Sequence, residues 1–129
     1  MPYHGPVRQW DVFVADLDYP VGSEQGGNKR PVIVVSNDAF NHVFPVVTIV
    51  PLTKVEGKQR RVYPFEISIP PWLIGNPLDS IVMPHQIRTI AKERLLAPMG
   101  HVGDLGLRRA IEDRLMEHLG IELEDGDED

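Results

Sequence analysis

The stretch Pro31-Val32-Ile33-Val34-Val35-Ser36 decides the fold of this chain. It is apolar almost throughout and rich in β-branched residues, which is typical of a strand covered on both faces. Similar stretches lie on either side of it, at Trp10 to Ala15 and at Val46 to Thr53. Because turn-forming residues separate these runs, they predict three strands of a mostly β protein.

Weaker strand signals follow along the chain. Pro51 cannot donate to a ladder, so we expect it at an edge or bulge near the end of the third strand. A fourth strand is predicted over Val62 to Ile69 and a fifth over Ser80 to Met83. Residues 86–102 are expected to add one or two short strands, including Leu95 to Leu96.

The C-terminal part of the chain carries the pattern of a helix. Asp104 is suited to cap its first turn, and Gly120 to end it in the left-handed conformation. Between them, apolar residues recur at helical spacing and form one stripe: Leu107, Ala110, Ile111, Leu115 and Leu119. The sequence therefore predicts a mainly β fold with a C-terminal α-helix, as a small twisted barrel on which the helix packs.

The length of 129 residues suits one domain, which we expect over residues 1–121. Residues 122–129 hold six of the acidic side chains, and without them the rest of the chain has no formal net charge. Closely spaced like charges repel, so we expect a solvated, disordered tail. An alternative is that this tail mimics a polyanion and competes for a basic surface.

The composition excludes several classes of protein. The chain has no cysteine, which excludes disulfides, thiolate nucleophiles and cysteine-based zinc sites. No apolar run approaches the roughly 20 residues that span a bilayer, and the first residues lack a targeting pattern. We therefore expect a cytoplasmic protein.

A basic segment follows the third strand, with cations at Lys54, Lys58, Arg60 and Arg61. Such a cluster on a neutral body favours a polyanion partner, whereas the alternative is an ordinary solvated loop. The five histidines are scattered without the spacing of metal ligands, so no metal site is expected.

The polar, glycine-rich loop from Asp16 to Lys29 is long enough to suggest a function. Two nucleotide or nucleophile motifs fail there. Gly22 to Lys29 resembles a phosphate-binding P-loop, but it leads into a strand rather than a helix. Ser23 stands one place too early for a nucleophile elbow.

Arg30 joins this loop to the buried strand, and Thr53 ends the third strand. A rigidly held arginine can direct its donors at a phosphate, and a hydroxyl can reach a phosphate oxygen. The alternatives are a surface arginine paired with an acid and a threonine chosen for its β-propensity. The residues alone thus predict an anion-binding corner with no reaction assigned.

Several motifs in fixed order carry a family resemblance over about Val7 to Leu119. They are Val21-Gly22-Ser23-Glu24-Gln25-Gly26-Gly27, Arg30-Pro31-Val32, Val35-Ser36-Asn37-Asp38-Ala39-Phe40-Asn41, Val50-Pro51-Leu52-Thr53, Asp79-Ser80 and Gln86-Ile87-Arg88-Thr89-Ile90. Together they resemble the MazF/PemK toxins of type II toxin–antitoxin systems. Each motif alone is weak, but the ordered set is specific.

The resemblance implies an SH3-like barrel and a homodimeric, metal-independent endoribonuclease without a cofactor. It implies attack of the ribose 2′-OH of single-stranded RNA, giving 2′,3′-cyclic phosphate and 5′-OH ends, and control by a cognate antitoxin. The family's catalytic positions fall on Arg30 and Thr53. Its RNA-site positions fall on Glu24 and Gln25 in the loop and on Gln86, which is expected on a strand lining the groove.

The chain departs from the family pattern at five places. Trp10 stands where many members have a glycine, and Ser23 replaces a histidine that some members use. An extra residue precedes Arg30, so Lys29 and Arg30 could exchange roles. His85 replaces an aspartate that takes part in catalysis in some members and is a possible auxiliary residue, and Met83 replaces an arginine.

Two other functions compete with the toxin ribonuclease. One is a non-enzymatic toxin of the same fold that binds a protein target, as the gyrase-poisoning CcdB proteins do. The other is a catalytically weak homologue that serves as an interaction module. Arg30, Thr53 and the Gly26-Gly27 pair favour the ribonuclease.

Overall fold

The computed structural model describes residues 2–55 and 60–122. Lys58 and residues 123–129, most of the predicted tail, lie outside the described residues. The strands and helices, in chain order, are β1 (Asp11–Ala15), β2 (Arg30–Val34), α1 (Asp38–Val43), β3 (Val46–Lys54), β4 (Ile67–Ile69), β5 (Ser80–Val82), β6 (Arg88–Ala91), β7 (Leu95–His101) and α2 (Leu105–Leu119). Every pairing is antiparallel, so the mainly β fold with a C-terminal helix is confirmed.

β3 organises the sheet because it is long enough to take three partners. It pairs with β2 on one edge, and on the other with β6 over Val46 to Ile49 and with β5 over Leu52 to Lys54. Pro51 lies inside β3. It stands between Ile49, the last β3 residue paired with β6, and Leu52, the first β3 residue paired with β5. A residue without an N–H is thus placed where the partner strand changes.

The pairing path runs β4-β5-β3-β2-β1-β7 among the described residues. The loop after β4 packs on the strand at the other end of this path, because Gly75 lies against the backbone of β7. Gly100 of β7 is so close to the Ile74 carbonyl that no Cβ would fit there. No strand pairing between β4 and β7 closes the expected small barrel among the described residues, and the loop after β4 packs on β7 instead.

Two apolar clusters pack on opposite faces of the sheet. The first contains Trp10, Val12, Ile33, Val50, Leu52, Ile69, Ile74, Val82, Val102, Leu107 and Ile111. The second contains Phe13, Ala15, Leu17, Val32, Val34, Val47, Ile49, Ile90 and Leu95. β2 supplies both clusters with fully buried side chains, as its continuous apolar sequence predicts.

α2 forms where the apolar stripe predicts it. The Asp104 carboxylate accepts a hydrogen bond from the Leu107 amide at 2.9 Å, and Gly120 ends the helix at φ +69°. Leu107 and Ile111 are buried, whereas Leu119 is exposed. The stripe therefore anchors the helix by its first two turns.

The predicted fourth strand is too long, because residues 62–66 are not extended. The Glu66 amide donates to the Tyr63 carbonyl at 2.9 Å and closes a turn there. Pro64 within this turn cannot donate to a ladder. Only Ile67–Ile69 pairs as β4.

Candidate functional site

A cleft of about 420 Å³ opens between the long loop after β1 and the connection from β5 to β6. Its lining is mostly polar and carries charges of both signs: Leu17, Asp18, Tyr19, Glu24, Gln25, His85, Gln86, Ile87, Arg88 and Arg94. The structure thus brings four residues singled out from the sequence (Glu24, Gln25, His85 and Gln86) to one place.

Gln86 holds the long loop in position. Its Oε1 accepts from the Gln25 amide at 3.1 Å, and its Nε2 donates to the Ser23 carbonyl at 2.9 Å. Gln86 lies in a 3-10 turn over Pro84–Gln86, so its expected position on a strand is wrong. Pro84 explains the turn, since its fixed φ suits the first helical position.

Glu24 is also folded into the loop. Its Oε1 accepts a hydrogen bond from the Val21 amide at 2.9 Å, and the residue is otherwise exposed. The carboxylate therefore stabilises the loop it belongs to, while it also lines the cleft.

Arg30 and Thr53 lie at the same end of the β2–β3 pair. Val34 faces Ile49 and Val32 faces Pro51 in this antiparallel register. Because side chains alternate along strands, Arg30 and Thr53 both fall on the face of the second cluster. Neither residue lines the cleft itself, but Arg30 follows directly on the loop that walls it.

The Arg30 guanidinium is fixed by its own loop. Its Nε donates to the Gly26 carbonyl at 2.6 Å. Gly27 has φ +120°, and a Cβ there would come within 2.6 Å of that nitrogen, so glycine is needed beside it. Lys29 is exposed and precedes β2. The geometry therefore favours Arg30 over Lys29 as the positioned cation.

Two arginines that the sequence analysis did not select also line the cleft. Arg88 pairs with Ile49 across β6 and β3, which places it on the face of Arg30 and Thr53. Arg94 lies 3.7 Å from the Asp18 carboxylate. Side chains alternate along a strand, so the apolar Ile90 could have predicted that Arg88 lies on the same face. No pattern in the sequence predicts that Arg94 lines the cleft.

The structure divides the predicted basic segment. Lys54 is exposed at the end of β3. Arg60 makes two hydrogen bonds of 2.9 Å with Glu66, one to each carboxylate oxygen. The Arg61 guanidinium lies 5.2 Å from the centre of the Tyr63 ring. The contact of these residues with RNA stays a prediction, and Arg60 already has another partner.

His85 stands at the edge of the cleft. Its burial lowers the pKa of the imidazole, with His118 and Arg60 acting in the same direction and Glu66 opposing them. Its ring meets Phe65 edge-on, with centroids 4.5 Å apart. Its Nδ1 is buried and has no hydrogen-bond partner among the described residues. At neutral pH the side chain is therefore an uncharged imidazole packed on an aromatic ring.

Within residues 2–55 and 60–122, no cluster of three or more histidine, aspartate or glutamate side chains is arranged to hold a metal ion. In the same residues, neither helix has the length and apolar character needed to cross a membrane.

Comparison with known proteins assigns this chain to a family. Residues 8–119 match the family described as PemK-like, MazF-like toxin of type II toxin–antitoxin system. The match covers most of the chain, so the chain belongs to this family.

Two relatives are similar over most of their own length. The chain is 37% identical to endoribonuclease MazF9 of Mycobacterium tuberculosis, over 89% of this chain and 98% of that one. It is 39% identical to endoribonuclease EndoA of Bacillus subtilis, over 76% of this chain and 82% of that one.

Solved structures agree on the fold. An endoribonuclease in complex with its cognate antitoxin from a mycobacterial species superimposes with a TM-score of 0.70 at 26% identity, covering 92% of this chain and 99% of that one. MazF from Deinococcus radiodurans gives a TM-score of 0.73 at 22% identity, covering 91% and 99%. At this lower identity, the similarity to the Deinococcus radiodurans protein shows a shared fold only.

Proposed function

We propose that this chain is the toxin of a type II toxin–antitoxin system and that it acts as an endoribonuclease on single-stranded RNA. The family membership and the names of the two relatives support this activity. The observation that carries it in this chain is the placement of Arg30 and Thr53 on one face, at one end of the β2–β3 pair, beside a polar cleft.

The proposed reaction needs no external nucleophile. The ribose 2′-oxygen forms a bond to the adjacent phosphorus, the bond from phosphorus to the 5′-oxygen breaks, and the 2′ proton is lost while the 5′-oxygen gains one. The products are a 2′,3′-cyclic phosphate and a 5′-OH. Because the substrate supplies the attacking group, the protein has to align it and stabilise the developing charge without a metal cofactor.

Arg30 has the geometry for charge stabilisation. Its Nε is held by the Gly26 carbonyl, which leaves the terminal nitrogens to donate to a non-bridging phosphate oxygen or to the leaving 5′-oxygen. Thr53 Oγ1 donates to a second non-bridging oxygen. Both groups are fixed on strands, so little reorganisation is needed when the charge develops.

Glu24 and His85 are the two candidates for proton transfer. Glu24 has one carboxylate oxygen held by the Val21 amide, which keeps the group at the cleft. The lowered pKa of His85 leaves its imidazole neutral at pH 7, the form that accepts a proton.

Further cations extend the proposed RNA surface. Arg88 and Arg94 line the cleft, and Lys29 and Lys54 lie exposed next to Arg30 and Thr53. We also propose a homodimer and a cognate antitoxin as partners, the second because a relative of the same fold is solved with its antitoxin. A toxin that cuts messenger RNA would act in the cytoplasm.

The test is incubation of the purified protein with long single-stranded RNA in EDTA, with the products mapped by position and end chemistry. The wild-type chain is expected to make discrete cuts with cyclic-phosphate and 5′-OH ends. Arg30→Ala and Thr53→Val should each lower the rate at least a hundredfold, as loss of a transition-state donor does. Lys29→Ala tests the exchange of roles, and Arg109→Ala, on the exposed face of α2, is the matched control.

No cleavage by the wild-type chain across varied RNAs would contradict the proposal. It would favour the toxin that binds a protein target or the inactive homologue. A rate lost in Lys29→Ala and retained in Arg30→Ala would instead keep the activity and move the catalytic cation by one residue.

A further inference from the structure

An exposed aromatic stack stands beside the cleft, outside the residues assigned above. The rings of Tyr63 and Phe65 lie parallel, with centroids 5.3 Å apart and planes inclined by 2°. Each residue is 42% exposed. A contiguous exposed apolar patch on a protein surface often marks an interaction site.

The turn that carries these rings is held from three sides. Glu66, only 4% exposed, accepts from the Tyr63 amide and from both terminal nitrogens of Arg60. Arg114 of α2 donates through Nε to the Pro64 carbonyl at 3.0 Å. The ion pair of the buried Glu66 with the partly exposed Arg60, together with α2, thus holds a four-residue turn whose rings are exposed. A fixed platform loses little conformational entropy when a ligand binds.

The stack adjoins the cleft through His85, on the side of the sheet where α2 packs. Phe65 meets His85 edge-on, and His85 lines the cleft. Ile67, which follows the turn, pairs with Val82, and Val82 pairs with Leu52 next to Thr53. Two strand spacings, about 10 Å, therefore separate the start of β4 from β3, the strand that carries Thr53.

The platform has two cations, Arg61 and Arg114, and one acid, Glu117, which lines the same hollow as Phe65. The Arg61 guanidinium covers the Tyr63 ring at 5.2 Å, and Arg114 lies below the turn. Single-stranded bases stack on aromatic rings and on arginine planes, while nearby cations meet the phosphates. Flat rings, a capping arginine and local positive charge are the three elements of such a site.

We propose that Tyr63 and Phe65, capped by Arg61, form the stacking site for an RNA base that flanks the cleaved bond. This inference rests on the proposed function. In it, Arg60 is a positioning residue that acts through Glu66, rather than a contact to the RNA backbone. The platform adds binding energy and base preference on one side of the cut, and leaves the chemical step to Arg30 and Thr53.

The test compares Tyr63→Leu and Phe65→Leu, which keep apolar bulk and remove the ring. Phe44→Leu is the matched control, because Phe44 is 51% exposed, stacks on Phe40 at 5.0 Å and lies beyond the opposite end of β3. Thermal unfolding of each variant checks that it folds. If Phe65→Leu is unstable, Tyr63→Leu provides the test, because the Tyr63 ring is farther from His85.

In the cleavage assay, each platform variant is expected to raise KM for single-stranded RNA about 5- to 20-fold, towards the lower part of the range for loss of one stacked base. The value of kcat should change less than twofold, and base preference at one position beside the cut should relax. Phe44→Leu should match the wild type. If both variants keep the KM and the cut pattern of the wild type, the proposed stacking site is wrong. This holds also if the rings turn out to bind a protein partner.

A binding assay separates this inference from the proposed function. The anisotropy of a labelled single-stranded RNA whose 2′-OH at the cut is blocked by 2′-O-methylation reports affinity without cleavage. If the wild type binds and does not cleave, and Phe65→Leu weakens binding, the platform stands and the ribonuclease fails. If the wild type cleaves and Phe65→Leu binds as tightly as it does, the ribonuclease stands and the platform fails.

Discussion

Replacing Arg60 with leucine tests the ion pair that holds the aromatic turn. The Glu66 side chain is 1% exposed, and Arg60 supplies two hydrogen bonds of 2.9 Å to it. Arg60→Leu leaves that carboxylate buried with the Tyr63 amide as its remaining described donor. The variant therefore loses stability through an unpaired buried charge.

The magnitude follows from how open the pair is. Breaking a fully buried ion pair costs about 3–5 kcal/mol. The Arg60 side chain is 34% exposed, so water can enter the vacated space and solvate part of the charge. We therefore expect the free energy of unfolding at pH 7 to fall by about 2–3 kcal/mol, at or just below the lower limit of that range.

The stability difference between wild type and Arg60→Leu should depend on pH. Burial alone would raise the pKa of Glu66, but Arg60 and the Tyr63 amide hold it below its ordinary value of 4.5. In the wild type this contribution is fully present above pH 4.5 and is lost as the pH falls through the lowered pKa. Without Arg60, burial raises the pKa of Glu66, and protonation then relieves the variant. The stability gap between wild type and variant should therefore be smaller at pH 4 than at pH 7.

Urea unfolding at pH 7 and at pH 4 measures both quantities, with Arg60→Leu/Glu66→Gln as the partner variant. The double variant should be more stable than Arg60→Leu at pH 7, since it buries no charge. A loss below about 0.5 kcal/mol at pH 7, in the range of exposed pairs, would refute the reasoning. So would a gap of the same size at both pH values.

Three further predictions concern the frame around the site. Gly100→Ala should destabilise the fold by about 2 kcal/mol in urea unfolding, because its Cβ would meet the Ile74 carbonyl where the two ends of the sheet pack; an unchanged midpoint would show that this contact yields easily. Gln86→Leu should raise the hydrogen-exchange rate of the Gln25 amide at least tenfold, since that amide loses its acceptor; unchanged protection would contradict the role of Gln86. Removal of residues 122–129 should leave the cleavage rate and its salt dependence unchanged, as the expected solvated tail requires; a faster rate would support the polyanion mimic.

The sequence predicted those parts of the fold that depend on local patterns. β2 is recognisable because every residue from Val32 to Val34 is buried, and α2 because its apolar stripe and its Asp104 cap are local. The closeness of Arg30 and Thr53 could be predicted for a similar reason. Arg30 and Thr53 end neighbouring antiparallel strands, so the register alone brings them together.

The sequence failed where a contact between distant segments decides the structure. In the sequence, Arg60 belongs to a basic run. In the structure, its guanidinium binds the buried carboxylate of Glu66, six residues later. Gln86 reads as a strand residue, yet its side chain binds the loop at Ser23 and Gln25, more than 60 positions earlier in the chain. Neither partner leaves a periodic signal in the sequence.

His85 shows how a departure from the family pattern can be accommodated. In the structure the imidazole packs edge-on against Phe65, and its lowered pKa keeps it uncharged at neutral pH. An aspartate in this place would add a negative charge to a cleft that already carries Asp18 and Glu24 and that, on our proposal, receives a phosphate. The neutral ring leaves the balance of charge to Arg88 and Arg94. His85 therefore joins the cleft to the aromatic platform by packing, and the proposed charge stabilisation remains with Arg30 and Thr53.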